Sequence, residues 1–292
     1  MVKLRVLSYA KVNLGLLLLG KRPDGYHDIA TLFQQIDLHD TLIFEETDRD
    51  FGIDVEGADI PTDEGNLIYR AYSLIKTQHS IRGGIHVTVK KQIPVGGGLG
   101  GGSSNAAMTL LALCKMFNLS LEEKTLRHLG MQIGSDVPFF FWGGTALGLG
   151  RGERLESITI PTDYRLLLLF PDVSVSTAWA YQHARIGLTT GEKMAKFRSL
   201  LGNFDYEALR DSLVNDLERV VFERHPQLLP LKEQLYEKDA FYAGMSGSGS
   251  TIYGLYRSPD VAQKARSFFS KNGVRTLVSR PMMHSPVVQV FS

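Results

Sequence analysis

Cysteine occurs once in this 292-residue chain, as Cys114, so no intrachain disulfide can form and the fold needs no oxidising compartment. An excess of either charge is missing too. The 32 Lys and Arg against 31 Asp and Glu leave a formal charge of +1, which offers no electrostatic grip on nucleic acid or an anionic membrane surface. Apolar runs are short: stretches such as Leu166–Phe170 fall far below the ~20 residues of a spanning helix. Tandem repeats and low-complexity blocks are not found, and the first residues do not read as a signal peptide. Asn118-Leu119-Ser120 is a glycosylation triplet without a secretory context. These absences argue against a disulfide scaffold, a membrane span and a charge-driven nucleic-acid binder. The expectation is a soluble, cytoplasmic protein with neither nucleic-acid nor membrane partners, in which Cys114, within an apolar helical pattern, is an inert buried thiol.

Glycine, by contrast, is plentiful, and it concentrates in Pro94-Val95-Gly96-Gly97-Gly98-Leu99-Gly100-Gly101-Gly102-Ser103-Ser104. The alternating run Ile85 to Val89 before it reads as a strand, and Asn105 to Leu113 after it as a helix. A glycine loop between strand and helix lacks the Cβ atoms that would keep a backbone from wrapping its N–H groups around a ligand. The helix start adds unpaired N–H groups and the positive end of a dipole, with the serines where an N-cap belongs. That order predicts a phosphate cradle.

Two phosphate-binding classes are near misses. Gly96 to Gly101 satisfies G-x-G-x-x-G, but the dinucleotide fingerprint also needs an acidic residue about 20 positions on, at the end of a strand, and Glu122 and Glu123 fall in a helical pattern. Gly15 to Lys21 has a Walker skeleton with Arg22 where Ser or Thr would hold magnesium.

Along the chain, Leu4–Tyr9 and Val12–Leu19 read as strands, Arg22 to Tyr26 as a proline-glycine turn, and Thr31–Leu38 and Thr41–Glu45 as further strands. Helices are expected from Glu64-Gly65-Asn66 through Thr77 and over Leu121–Met131, followed by Gly134-Ser135-Asp136-Val137-Pro138, a turn into a short helix. Arg165–Phe170 is a buried strand, helices become frequent from Thr177 to Tyr236, and Ala240–Ala243, Thr251–Tyr256 and Arg275–Ser279 are strands around a helix over Asp260–Lys271. The predicted class is α+β in two lobes that meet near Pro161, with the ligand site in the cleft between them.

Several polar residues have both a plain and a chemical reading. Asp136 is either the N-cap of its helix or a carboxylate that takes a proton from a hydroxyl during phosphoryl transfer. Lys11 and Asn13, two apart in an apolar strand, share one face, which is either a wet edge or a wall of the cleft. In the cleft, Lys11 would hold Asp136 ionised and offset phosphate charge. The loop Gly244 to Ser250 is a tight hairpin or a second wall for phosphates; its serines lack the flanking glycines of a nucleophile elbow. Lys90 and Lys91 are available to meet phosphates.

Taken together, Ala10-Lys11-Val12-Asn13-Leu14 with Arg22 to His27, the loop Ile93 to Ala107, Gly134 to Phe140 and Ala243 to Gly249 resemble the GHMP kinase superfamily, named for galactose, homoserine, mevalonate and phosphomevalonate kinases. The resemblance implies a two-lobed GHMP fold, with an ATP-binding domain over 1–160 and a C-terminal domain over 161–292. The activity it implies is transfer of the γ-phosphate of ATP to an alcohol of a small molecule. Asp136 would be the base and Lys11 its partner, and the loop 94–104 would hold the triphosphate. Asn66 would lie near adenine. Tyr26 and His27 would address cytosine on a cytidine diphosphate-linked polyol, with Tyr181 stacked on its other side, Asn13 on the polyol or diphosphate, and Gly247 in the third motif. Thr177 and Arg151 are weaker matches. Mg2+ is implied by ATP chemistry, with no ligand set visible, and the segment Lys196 to Arg224 matches no motif. The rival readings are a homoserine or mevalonate type kinase, a dinucleotide-dependent oxidoreductase and a silent nucleotide-binding module.

Overall fold

The computed structural model describes residues 3–79, 81–185, 190–202, 205–206, 208–283 and 289–291. In chain order the first half comprises β1 (Lys3–Lys21), β2 (His27–Thr47), β3 (Phe51–Glu56), α1 (Leu67–His79), β4 (Gly84–Lys90), α2 (Gly101–Met116), α3 (Glu123–Ile133), a 3-10 helix (Val137–Phe141), β5 (Thr145–Gly150) and β6 (Arg154–Ser157). The second comprises β7 (Arg165–Phe170), α4 (Thr177–His183), α5 (Thr190–Gly202), α6 (Leu209–Ser212), α7 (Leu217–Arg224), α8 (Leu228–Glu237), β8 (Tyr242–Met245), β9 (Ile252–Tyr256), α9 (Pro259–Lys271), β10 (Arg275–Ser279) and β11 (Gln289–Phe291). A seven-stranded sheet runs β11-β1-β2-β4-β3, with β5 joined to β2 and β6 to β5, and a four-stranded antiparallel sheet runs β10-β7-β9-β8. No described helix is long and apolar enough to cross a membrane.

β1 organises the molecule. Its first residues alternate, with Leu4, Val6, Ser8 and Ala10 buried, and from Ala10 to Leu18 every side chain is buried. A strand with one wet face alternates, whereas one covered on both faces reads as a continuous apolar run. Leu4 and Val6 join Phe44, Val87 and the helices α1 and α2 in one core. Leu14 and Leu17 pack with Tyr164, Leu166, Phe197 and Leu255 in a second, and Leu16 and Leu18 with Leu167, Leu169 and Phe269 in a third. The two strands expected before the first turn are therefore one, and so are the two expected over Thr31–Glu45. Register shifts between Tyr9 and Lys11, Asn13 and Leu16, and Leu18 and Gly20 interrupt the alternation without ending the pairing.

Other differences are local. α2 begins at Gly101, so Ser103 and Ser104 lie inside its first turn instead of capping it. The cap position is Gly100, whose φ of 68° is the left-handed conformation glycine adopts without a Cβ penalty. β3 is an edge strand that the sequence reading passes over despite its Phe51-Ile53-Val55 alternation; it is only half covered and is framed by exposed polar turns. The unmatched segment 196–224, whose residues 203, 204 and 207 lie outside the described residues, packs Phe197, Leu200, Leu209 and Leu213 against β1. It also bonds to that strand through Leu16 N to Val214 O at 2.8 Å and Asp216 N to Leu16 O at 2.8 Å.

Candidate functional site

A cavity of about 940 Å³ opens between the glycine loop, the middle of β1, the Arg22–His27 turn and α4. Its deepest polar feature comes from β1. A buried strand carrying Lys11 and Asn13 must satisfy both side chains internally. The Lys11 Nζ donates to Asn13 Oδ1 at 2.6 Å and to Gly98 O at 3.1 Å, and lies 3.3 Å from Asp136 Oδ2. The Lys11 side chain is 4% exposed and that of Asp136 32%, so ammonium and carboxylate meet where water screens them poorly while the carboxylate still faces the cavity. Asp136 occupies the cap position of the 3-10 helix but its side chain makes no capping hydrogen bond. The edge reading of Lys11 fails as well: the residue is 3% exposed, with β2 on one side of the strand and the glycine loop on the other, through Lys11 N to Leu99 O at 3.0 Å.

The glycine loop owes its orientation to what holds its carbonyls. Gly97 O accepts from Thr251 N at 3.3 Å, Gly98 O from Ser246 Oγ at 2.9 Å as well as from Lys11, and Leu99 O from Lys11 N at 3.0 Å. A planar trans peptide points each C=O opposite to the following N–H, so the N–H groups of Gly98, Leu99 and Gly100 face away from these anchors. The first bond back into the helix is Ser104 N to Gly100 O at 2.8 Å, which leaves the N–H groups of Gly101, Gly102 and Ser103 as the open end of α2. Glycine is required at Gly98, where φ is 73° and a Cβ would stand 2.1 Å from Ser246 O. Pro94, Val95 and Gly96 to Ser103 all border the cavity. Ser104 does not: it is buried beneath the loop, where its Oγ lies 2.8 Å from Ser8 Oγ.

At the other end, the Arg22 to Tyr26 turn is closed by Arg22 N to Tyr26 O at 2.8 Å and Tyr26 N to Asp24 Oδ1 at 3.1 Å, with Arg22 also paired to Asp24 and Asp28. This holds the Tyr26 ring 55% exposed over the cavity mouth, with the Arg151 guanidinium 4.9 Å from its centroid. His27 is buried, 5.7 Å from the Tyr181 ring, and its Nδ1 has no partner. Burial, and then the Lys21 charge, push the imidazole pKa below its ordinary value. Burial, and then the Asp136 charge, push the Tyr181 phenol up.

The remaining expected residues are brought to the same cavity in different conditions. Asn66 lines it, but its amide is engaged in capping α1: Oδ1 accepts from Ile68 N at 2.9 Å and Nδ2 donates to Pro61 O at 2.7 Å. Gly247 stands where a Cβ would lie 3.1 Å from Asn13 Oδ1. Thr177 Oγ1 is 2.9 Å from Ser248 Oγ. Neither basic residue expected to meet phosphates is free: Lys90 pairs with Glu56 at 3.6 Å and Lys91 with the buried Asp40 at 2.5 Å. Cys114 is half-buried and not fully buried as expected, yet that burial still raises its thiol to about 11, in keeping with an inert residue. Among the described residues no group of three or more His, Cys, Asp or Glu could hold a metal ion.

Three supporting residues escape a reading of the sequence. Asp40 Oδ1 accepts from Gln92 N at 2.8 Å and Ile93 N at 2.9 Å, which fixes the entry to the glycine loop. Asn215 Nδ2 donates to Met245 O at 2.8 Å and Gly247 O at 2.7 Å, and Glu218 Oε1 accepts from Met245 N at 2.8 Å. These two tie the unmatched segment to the loop 244–250. Their only sequence signal is polarity at the start of a helix.

With that geometry in view, comparison with known proteins is informative. The model of the GHMP kinases N terminal domain matches residues 66–144, and that of the GHMP kinases C terminal domain matches residues 197–275. A 4-diphosphocytidyl-2-C-methyl-D-erythritol kinase of Thermodesulfovibrio yellowstonii is 43% identical over 90% of this chain and 93% of its own. One of Bacillus cereus is 40% identical over 87% of this chain and 88% of its own. A crystal structure of 4-(cytidine 5'-diphospho)-2C-methyl-D-erythritol kinase superposes with a TM-score of 0.77 at 32% identity, covering 95% of this chain and 98% of that one. A homoserine kinase from Cytophaga hutchinsonii shares the fold, with a TM-score of 0.77 at 19% identity, over 100% of this chain and 98% of its own.

Proposed function

The chain belongs to the GHMP kinases and, within them, to the 4-diphosphocytidyl-2-C-methyl-D-erythritol kinases, and on that premise we propose how its residues divide the work. The reaction moves the γ-phosphate of ATP to the 2-hydroxyl of 4-diphosphocytidyl-2-C-methyl-D-erythritol, in non-mevalonate isoprenoid precursor biosynthesis. Asp136 takes the proton of that hydroxyl as its oxygen attacks the γ-phosphorus. Lys11 pairs with Asp136 and offsets charge on the transferring group. The N–H groups of the glycine loop and the start of α2 hold phosphate oxygens, each helix-end interaction contributing roughly 0.3–1 kcal/mol. Asn66 borders adenine. Tyr26 and Tyr181 flank cytosine, where base stacking is worth ~1–3 kcal/mol, and the neutral His27 hydrogen-bonds the base. Asn13 addresses the polyol or diphosphate, and Gly247 lets the third loop approach it closely.

The observation that carries this reading is the 3.3 Å contact between Lys11 Nζ and Asp136 Oδ2, set between the phosphate cradle and the aromatic end of one cavity. Mg2+ is part of the proposal as a companion of the ATP phosphates. Among the described residues no cluster of three or more His, Cys, Asp or Glu offers it a cage. A cytoplasmic location without nucleic-acid or membrane partners belongs to the same proposal.

The test is a coupled ATPase assay with a panel of acceptor alcohols, run on the wild type, Asp136→Asn and Lys11→Met. Turnover of the cytidyl substrate should fall by roughly 10²–10⁴ in Asp136→Asn with ATP affinity nearly unchanged, because a general base acts on the transition state. Full activity in that variant, or ATP consumption with homoserine and not with the cytidyl substrate, would overturn it.

A further inference from the structure

The amide of Asn13 is oriented by a chain of hydrogen bonds that can run in only one direction. Lys11 Nζ is a pure donor, so the Asn13 atom 2.6 Å from it must be the carbonyl oxygen. The amide nitrogen then faces Thr31 Oγ1 at 2.8 Å, and that hydroxyl must accept there. A hydroxyl has one proton to give, and it goes to Gly15 O at 2.6 Å. Gly15 is free to receive it because the register shift between Asn13 and Leu16 takes Gly15 out of the ladder between β1 and β2. Thr31 is 0% exposed and Asn13 3%, so no water competes for these groups.

From this arrangement we propose that Thr31 is a positioning residue for phosphoryl transfer: its hydroxyl sets the Asn13 amide, and through it the Lys11 ammonium, against Asp136. The inference rests on the assignment of Lys11 and Asp136 above. Without the hydroxyl, the buried Asn13 NH2 has no acceptor at position 31 and shifts toward another, and Lys11, a pure donor, follows the amide oxygen it is bonded to. The ammonium is thereby drawn off the carboxylate. Displacements of about 1 Å at a reacting centre can cost roughly 10²-fold in rate.

The experiment compares Thr31→Val, which keeps the shape without the hydroxyl, with Thr31→Ser, which keeps the hydroxyl. Thr31→Val should lower kcat by roughly 10–10²-fold with little change in either KM. Thr31→Ser should stay within a few fold of wild type. A structural role alone would lower thermal stability and disturb both KM values along with kcat. If Thr31→Val folds poorly, Thr31→Ala against Thr31→Ser reads the same contrast. KM values that change as much as kcat, or a serine variant as impaired as the valine, overturn the proposal. Asp136→Asn and Lys11→Met in the same series separate the two failures. If those two are inactive while Thr31→Val behaves as wild type, only the role of Thr31 is lost; if they are active, the assignment beneath it is lost.

Discussion

Replacing Asp40 by asparagine would test how the entry to the glycine loop is held. The carboxylate is 0% exposed and takes three donors, Gln92 N at 2.8 Å, Ile93 N at 2.9 Å and Lys91 Nζ at 2.5 Å, the last on a side chain only 5% exposed. Asparagine has the same shape. Keeping its oxygen on the two backbone N–H groups forces its NH2 against the Lys91 ammonium, donor to donor. Removing one partner of a buried pair costs about 3–5 kcal/mol. Lys91 also borders the cavity, so its ammonium can swing toward water, which sets the expected loss near 3 kcal/mol. For a chain of this size each kcal/mol shifts Tm by about 1.5–2 °C, and Tm should drop by roughly 5 °C. ATP affinity should weaken with it, because Gln92 and Ile93 lead directly into Pro94. Thermal unfolding of Asp40→Asn, Lys91→Met and the double variant checks the reasoning. The double variant, with neither charge, should recover most of the loss, since well-packed apolar replacements of buried pairs are often neutral. A single variant within about 1 kcal/mol of wild type, or a double variant less stable than Asp40→Asn, would refute the account.

Gly98→Ala places a Cβ 2.1 Å from Ser246 O and 3.1 Å from Gly249 O at a φ of 73°, so the two loops must separate. Stability should fall by about 1–3 kcal/mol and calorimetric ATP affinity at least about tenfold; wild-type affinity would count against the cradle. Tyr26→Ala should raise KM for the cytidyl substrate with little change for ATP, and equal effects on both would remove Tyr26 from the acceptor end. The His27 pKa is depressed by burial and by Lys21. The unfolded chain therefore binds a proton first, and the His27 contribution to stability is fully present above ~6.5 and is lost as pH falls below it. KM for the cytidyl substrate, measured from pH 8 to about 5.5, should rise on the same side, and a flat profile would argue against contact between His27 and the base.

Local order is what the sequence makes readable. Strand, glycine loop and helix are consecutive, and the Lys11–Asn13 spacing of two and the Ser135-Asp136 pair stand out against apolar neighbours. The same local view misplaces the start of α2, because Ser103 and Ser104 look like caps until Ser8, far away in the chain, takes Ser104 as its partner. It splits β1 in two, because bulges break the alternation without breaking the ladder. Asp40 and Asn215 are silent for a related reason. Their partners lie 51 and 30 residues away, and an isolated acid or amide does not announce which distant backbone it will hold. The Lys11–Asp136 contact itself crosses most of the first half of the chain, and residue chemistry alone does not put the two side chains 3.3 Å apart.

The double allegiance of β1 governs how this enzyme can be taken apart. Leu14, Leu16, Leu17 and Leu18 sit at the front of the chain, yet the side chains that shelter them, Leu166 and Leu167 among many, follow residue 160. A fragment ending there would carry a greasy ribbon with nothing to cover it and would clump. The complementary fragment would fold, if at all, around a groove where that ribbon belongs. Two-piece expression can succeed only by reassembly, and the ammonium at Lys11 would reach its working place only once the halves had closed on each other.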